Sequence, residues 1–213
     1  MSDLEKAVVY AISHEVAQHS AITSHTLSAL QEFVTVLEKY FPARIEMSLL
    51  LRKLKTWVFR HQDTIRGEDL STWFRDYQQQ HSFHVSDTWI GCQGSEDRYG
   101  GYPCGLWSVW HVLTVAQAES GTGDPKEVMV AMKNYIKEFF GCRECARHFD
   151  QVCNMSIISQ KGQDCDHRQS TEATLLMKRS RTTRMLCFFC GLFITKPTSG
   201  WQETSPKTLC FLN

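Results

Sequence analysis

Phe139-Phe140-Gly141-Cys142-Arg143-Glu144-Cys145-Ala146-Arg147-His148-Phe149 is the stretch from which the rest of the chain is read. Glycine breaks one apolar run, and a Cys-x-x-Cys pair then opens another helix-like segment. Two cysteines three apart on a first helical turn can form a strained, readily reduced disulfide. The exposed N–H groups of that turn and the helix dipole stabilise a thiolate there, which thiol–disulfide exchange requires. Zinc sites use the same spacing. A metal reading would recruit Cys142, Cys145, His148 and Cys153, in a cramped C-x2-C-x2-H-x4-C arrangement that matches no common zinc module. Spacing alone leaves redox and structural readings open.

Working outward, the cysteine distribution divides the chain. There are nine cysteines in 213 residues, and none precedes Cys92. An odd number leaves at least one thiol without an intramolecular partner, and the length exceeds that of disulfide-dense secreted scaffolds. Both features point to a redox or metal centre in the second half. The rest of the composition is ordinary, with 42% hydrophobic and 22% charged residues. Lys+Arg 23 balance Asp+Glu 23, which argues against a strongly basic nucleic-acid binder. The longest apolar run, Leu186 to Ile194, falls well short of the roughly 20 residues that a membrane span takes. The opening Met1-Ser2-Asp3-Leu4-Glu5 does not read as a signal peptide.

Upstream, the pattern is helical. Leu4, Ala7, Val8, Ala11 and Ile12 form one stripe, with Ser2 and Asp3 as candidate N-caps. Leu27, Leu30, Phe33, Val34, Leu37 and Phe41 form a second, capped at Ser24 and stopped by Pro42. Leu50, Leu54, Trp57 and Val58 predict a third helix; Leu70, Trp73, Phe74 and Tyr77 predict a fourth. Such stripes specify a core and no chemistry. A Gly-rich loop with Cys92 and Cys104 follows between Gly91 and Gly105. Leu106, Val109, Trp110 and Leu113 then form the apolar face of a helix that ends at Gly121-Thr122-Gly123, and Trp107 and His111 lie on the neighbouring face. Asp124, Pro125 and Glu127 predict the capped start of the next helix, whose apolar face is Val128, Met132, Tyr135, Ile136 and Phe139. Beyond Gln151 the periodicity fades. Residues 151–213 hold eight Lys and Arg against four Asp and Glu, a net +4.

Cys104-Gly105-Leu106-Trp107-Ser108-Val109-Trp110-His111, followed by the Gly141–Phe149 stretch, resembles the FAD-linked sulfhydryl oxidases of the Erv/ALR type. Trp89-Ile90-Gly91-Cys92-Gln93-Gly94-Ser95 and Gly101-Tyr102-Pro103-Cys104 narrow the resemblance to the quiescin sulfhydryl oxidases. It covers about residues 2–150. It implies an all-α chain with a helix-rich region without redox cysteines (1–85), an Erv/ALR-type FAD-binding helical bundle (86–150), and a divergent tail (151–213). By the same resemblance Cys142 exchanges with incoming thiols and Cys145 is the flavin-proximal sulfur. Trp107, His111, Glu144 and His148 fall at flavin-contacting positions, and Cys92 and Cys104 match a structural disulfide. A Trp and a His on a helix are ordinarily core residues; the surrounding motif turns the reading toward a cofactor.

The implied reaction takes dithiol substrates to disulfides and passes two electrons through FAD to O2, giving H2O2. The implied compartment is the secretory pathway, Golgi or extracellular. The chain also departs from the family pattern. No stretch of these 213 residues is expected to form the family's thioredoxin-like modules, and Gly100 stands where relatives carry an FAD-contacting Arg, with Arg98 nearby. No Trp-x-x-His-Asn-x-x-Asn segment follows Gln151, so the bundle is expected to be incomplete and to leave an apolar patch. Cys187-Phe188-Phe189-Cys190 repeats the Cys-x-x-Cys spacing without the family's flanking residues. Pairings of Cys153, Cys165, Cys187, Cys190 and Cys210 do not follow from the sequence. The alternative reading is a non-catalytic helical interaction module that cannot retain FAD.

Overall fold

Helix follows helix along the chain, as the apolar stripes require. The computed structural model describes residues 1–94 and 100–151. Helix α1 (Ser2–Tyr10) runs directly into a π-helical turn (Ala11–Val16). Helices α2 (Ser24–Tyr40), α3 (Ile45–Arg60), α4 (Gly67–His81), α5 (Tyr102–Ser120) and α6 (Glu127–Phe139) follow. A further helix, α7, covers residues 143–151. One feature has no counterpart in the sequence reading: two-residue strands β1 (Ile22–Thr23) and β2 (Thr64–Ile65) pair antiparallel, Ile22 opposite Ile65. The expectations for the 152–213 tail lie outside the described residues.

Helix α2 packs on α3, α5 and α6, and α1 packs on α5. The stripe residues fill this junction: Leu30, Phe33, Val34, Leu37, Leu50, Leu54, Val109, Trp110, Tyr135 and Phe139 are all buried. At its centre the Phe33 ring lies 4.3 Å from Tyr135 and 5.4 Å from Trp110, between centroids. Such tilted aromatic contacts add to the area each ring buries. The Tyr102 and Tyr135 hydroxyls meet at 2.8 Å in the interior, so α5 and α6 share a satisfied polar contact. Gly105 lets α1 approach α5 closely. A Cβ there would stand 2.9 Å from the Ala7 Cβ and 2.8 Å from the Trp89 ring.

Three helix starts differ from the sequence reading. Helix α2 is capped by Thr23 rather than Ser24, and the Thr23 amide donates to the Thr26 hydroxyl at 2.8 Å. Helix α6 begins at Glu127, after Pro125. Asp124 Oδ1 accepts the Lys126 amide at 2.9 Å, so Asp124 shapes the turn that leads in rather than capping the helix. Glu127 does not reach back in a capping box. Its carboxylate instead accepts from Lys39 Nζ at 2.7 Å and the Tyr40 hydroxyl at 2.8 Å on α2, because a charged pair between helices outcompetes a local cap here.

The third concerns Asp3. Met1 is the N-cap of α1, and the Asp3 carboxylate is used elsewhere. It accepts backbone N–H groups from Ile90 (2.8 Å), Gly91 (2.6 Å) and Cys92 (2.8 Å), clasping the start of the Gly-rich loop. Burial pushes the Asp3 carboxyl up, but the three amides outweigh it and hold the carboxyl below its ordinary value. A lowered carboxyl stabilises the fold above the unfolded-state value, and that stabilisation is lost as pH falls through the lowered one. Asp3→Ala is therefore expected to cost about 2 kcal/mol at neutral pH, from charge-assisted hydrogen bonds left unmade. Urea denaturation at neutral and strongly acidic pH checks this, since the difference from the parent chain should shrink in acid.

Candidate functional site

The site is built at the junction of three segments: the Gly-rich loop, helix α5, and the turn that leads from α6 into α7. Cys92 and Cys104 are joined in a disulfide, with Cα atoms 5.6 Å apart. This bridge ties the loop to the first turn of α5, where Gly101 (φ 67°) is the N-cap and Pro103 sits in the first turn. Gly100 stands at φ 85°, and a Cβ there would lie 2.4 Å from the Cys92 carbonyl oxygen. An arginine cannot be seated at this position without moving the backbone. Arg98 lies outside the described residues.

Cys142 and Cys145 are joined in a second disulfide, Cα atoms 5.2 Å apart, at the N-terminus of α7. Cys142 stands in the cap position. Its Sγ accepts the Cys145 amide at 3.3 Å, and its carbonyl accepts the Ala146 amide at 2.9 Å. An N-cap sulfur facing free helical N–H groups is one whose negative charge is stabilised. Cys142 is exposed and Cys145 half-buried, so the two sulfurs face different surroundings. Arg143 fixes the turn: its guanidinium donates to the carbonyl oxygens of Lys137 (2.9 Å) and Glu138 (3.1 Å) in the last turn of α6. A cation on the carbonyl end of a helix is the favourable arrangement. Spacing did not reveal this role for Arg143, although a basic residue just past a helix end is the signal that could have.

Helix α5 brings Trp107 to α7, its ring centroid 5.8 Å from that of Phe149. Trp107 and His111, one turn apart, are both half-buried. The His111 Nδ1 atom is buried and finds no hydrogen-bond partner among the described residues. A buried imidazole nitrogen left in that state is costly, and a planar heteroaromatic ligand on this face would offset the cost. Together with the flat Trp107 ring beside the disulfide helix, it makes this face fit a flavin. Glu144 and His148 lie exposed on α7.

Of the zinc alternative, Cys142 and Cys145 are bonded to each other and Cys153 lies outside the described residues. No group of three or more His, Cys, Asp or Glu among the described residues is placed to hold a metal.

Comparison with known proteins gives concordant matches. Residues 1–95 match the family model described as flavin adenine dinucleotide (FAD)-dependent sulfhydryl oxidase, and residues 104–178 match that of the Erv1 / Alr family. The second match continues past Gln151, where the motifs alone carried no resemblance. Human sulfhydryl oxidase 1 is 37% identical over 218 residues, 99% of this chain and 28% of its own length. Human sulfhydryl oxidase 2 is 35% identical over 173 residues, 76% of this chain and 25% of its own length. The chain thus spans about a quarter of the length of these relatives. The solved sulfhydryl oxidase fragment of human QSOX1 superposes with a TM-score of 0.70 at 33% identity, covering 89% of this chain and 74% of that one.

Proposed function

Because this chain belongs to the family of FAD-dependent sulfhydryl oxidases, we propose that it oxidises dithiols to disulfides at Cys142–Cys145, with O2 reduced to H2O2. The observation that carries the proposal is the position of this disulfide. It caps α7, with Cys142 exposed to solvent and Cys145 half-buried.

The chemistry of the chain's own residues follows. A substrate thiolate attacks the exposed Cys142 Sγ, forming a mixed disulfide and releasing Cys145 as the leaving sulfur. The second substrate thiol then attacks its own sulfur in the mixed disulfide, so the substrate departs oxidised and Cys142 and Cys145 are left reduced by two electrons. The α7 N-terminus and the Arg143 guanidinium favour negative charge at this turn. FAD, when bound, supplies the acceptor that takes those electrons and delivers them to O2. Trp107 and His111 would hold its ring, and Glu144 and His148 on α7 would contact it. The disulfide at Cys92–Cys104 keeps the start of α5 in place. Two disulfides fit an oxidising compartment, and we assign the chain to the secretory pathway. No helix among the described residues is long and apolar enough to cross a membrane.

The test is a flavin spectrum of the purified chain. Yellow protein with stoichiometric FAD is expected, and His111→Ala should retain at least about tenfold less FAD, the weight of one or two lost polar contacts. Its helical circular dichroism should stay unchanged. Colourless protein, even after incubation with excess FAD, would overturn the catalytic reading and leave a non-catalytic helical interaction module.

A further inference from the structure

The π-helical turn that follows α1 carries Glu15, a half-buried carboxylate far from the redox pair in sequence. Single π turns re-aim side chains and recur at functional sites. Here the turn aims Glu15 at the residue immediately before Cys142. Its Oε2 and Oε1 stand 3.3 and 3.4 Å from the point a Cβ would occupy on Gly141. Oε2 is buried without a hydrogen-bond partner among the described residues. A carboxylate held this way is costly to keep, and the fold keeps it against the redox turn.

Its surroundings are mixed. From the redox turn it faces Arg143, whose guanidinium is committed to the α6 carbonyls. On α5 and α6 the Tyr102 and Tyr135 hydroxyls lie within its field, and burial first, with the carboxylate adding to it, keeps both protonated. Glu138 is a further charged group near Arg143, whereas burial and the Arg143 charge push the His19 imidazole toward its neutral form. Burial pushes the Glu15 carboxyl above its ordinary value, and the Gly141 amide and Arg143 pull it partly back. A carboxyl raised in the folded state costs stability once pH rises through that value. Glu15 is therefore not there for stability at neutral pH.

We propose that Glu15 is a positioning residue of the redox turn: its carboxylate, seated against Gly141, sets a negative charge one residue before Cys142, so that the reduced pair holds Cys142 as thiol and Cys145 as thiolate. This rests on the reading of Cys142–Cys145 as the exchanging pair. A nearby negative charge disfavours a second one, which opposes the stabilisation that Cys142 gains as the α7 cap. The result is an asymmetric pair. The outward sulfur is kept from re-forming a mixed disulfide with product, and the inner sulfur carries the charge.

The test is peptide-resolved alkylation of the full 213-residue chain, reduced with dithiothreitol, desalted without oxygen and treated with iodoacetamide across a pH series. Glu15→Gln keeps the size and shape of the side chain and removes the charge. Cys142 in that variant should alkylate about threefold or more faster at pH 7, with its inflection at lower pH. Glu15→Asp, which keeps the charge, should stay closer to the parent profile, and the thermal midpoint of Glu15→Gln should not fall. Superimposable Cys142 profiles for Glu15→Gln and the parent chain would overturn the proposal. Flavin plays no part in this readout, so a chain that fails to retain FAD but shows the shift separates the failure of the oxidase reading from that of this one.

Discussion

Cys145→Ser is expected to abolish oxygen consumption with a small dithiol, and Cys142→Ser to do the same, whereas Cys187→Ser leaves it intact. A serine hydroxyl neither exchanges with a disulfide nor carries two electrons between sulfurs, so no partial activity is expected from either variant. The two losses differ in kind. With Cys145 gone, the exposed Cys142 still reacts, and a mixed disulfide with a disulfide-form substrate should accumulate and be visible by intact mass. With Cys142 gone, the half-buried Cys145 is the poorer target and much less adduct should form. Oxygen-electrode traces with each variant, alongside the adduct masses, check both statements. Unchanged consumption in Cys142→Ser would remove the exchange mechanism.

Stability should behave the other way round. The Cys142–Cys145 bridge closes a very short loop, with a sequence separation of 3, and the chain-entropy account gives it about 2 kcal/mol. Cys92–Cys104 spans a separation of 12 and is worth about 3 kcal/mol on the same account. On the proposed reading one bridge mainly serves exchange, and the other mainly holds the start of α5.

The helices were legible in the sequence because a period near 3.6 survives in any segment that buries one face. Phe33 and Leu37, or Val109 and Leu113, report their own burial through their spacing. The Cys142–Cys145 disulfide was legible as a candidate because the two cysteines are three residues apart, so the bond is local. Contacts between distant segments have no period to reveal them. Asp3 reads locally as a helix cap, and only the fold shows that its three amide partners lie at Ile90, Gly91 and Cys92. Glu127 reads as a capping-box residue for the same reason, and Glu15 reads as nothing at all. The β1–β2 pair was invisible because two residues per strand are too few to show alternation. Gly100 was read as a missing arginine, while its positive φ and closeness to the Cys92 carbonyl make glycine the residue this backbone requires.

Trp110→Ala should be the most damaging single substitution for stability, at about 4 kcal/mol, the usual range for emptying a buried tryptophan site. The ring is 2% exposed and stands between Phe33 of α2 at 5.4 Å and Tyr135 of α6 at 5.9 Å. Removing it opens a cavity where the helix-rich segment meets the disulfide-bearing one. Against a typical domain stability of 5–15 kcal/mol, a thermal midpoint lower by about 10 °C is expected by circular dichroism. Trp107 supplies the control. At 100° per residue it lies about 60° around α5 from Trp110, on the half-buried face beside Phe149. Trp107→Ala should therefore cost far less stability and far more retained flavin. A Trp107→Ala chain that unfolds as readily as Trp110→Ala while keeping its yellow colour would place both rings in the core and move the cofactor off this face of α5. A separation of the two effects means that one helix carries the fold on one side and the chemistry on the next, which is why a single apolar stripe could not distinguish them.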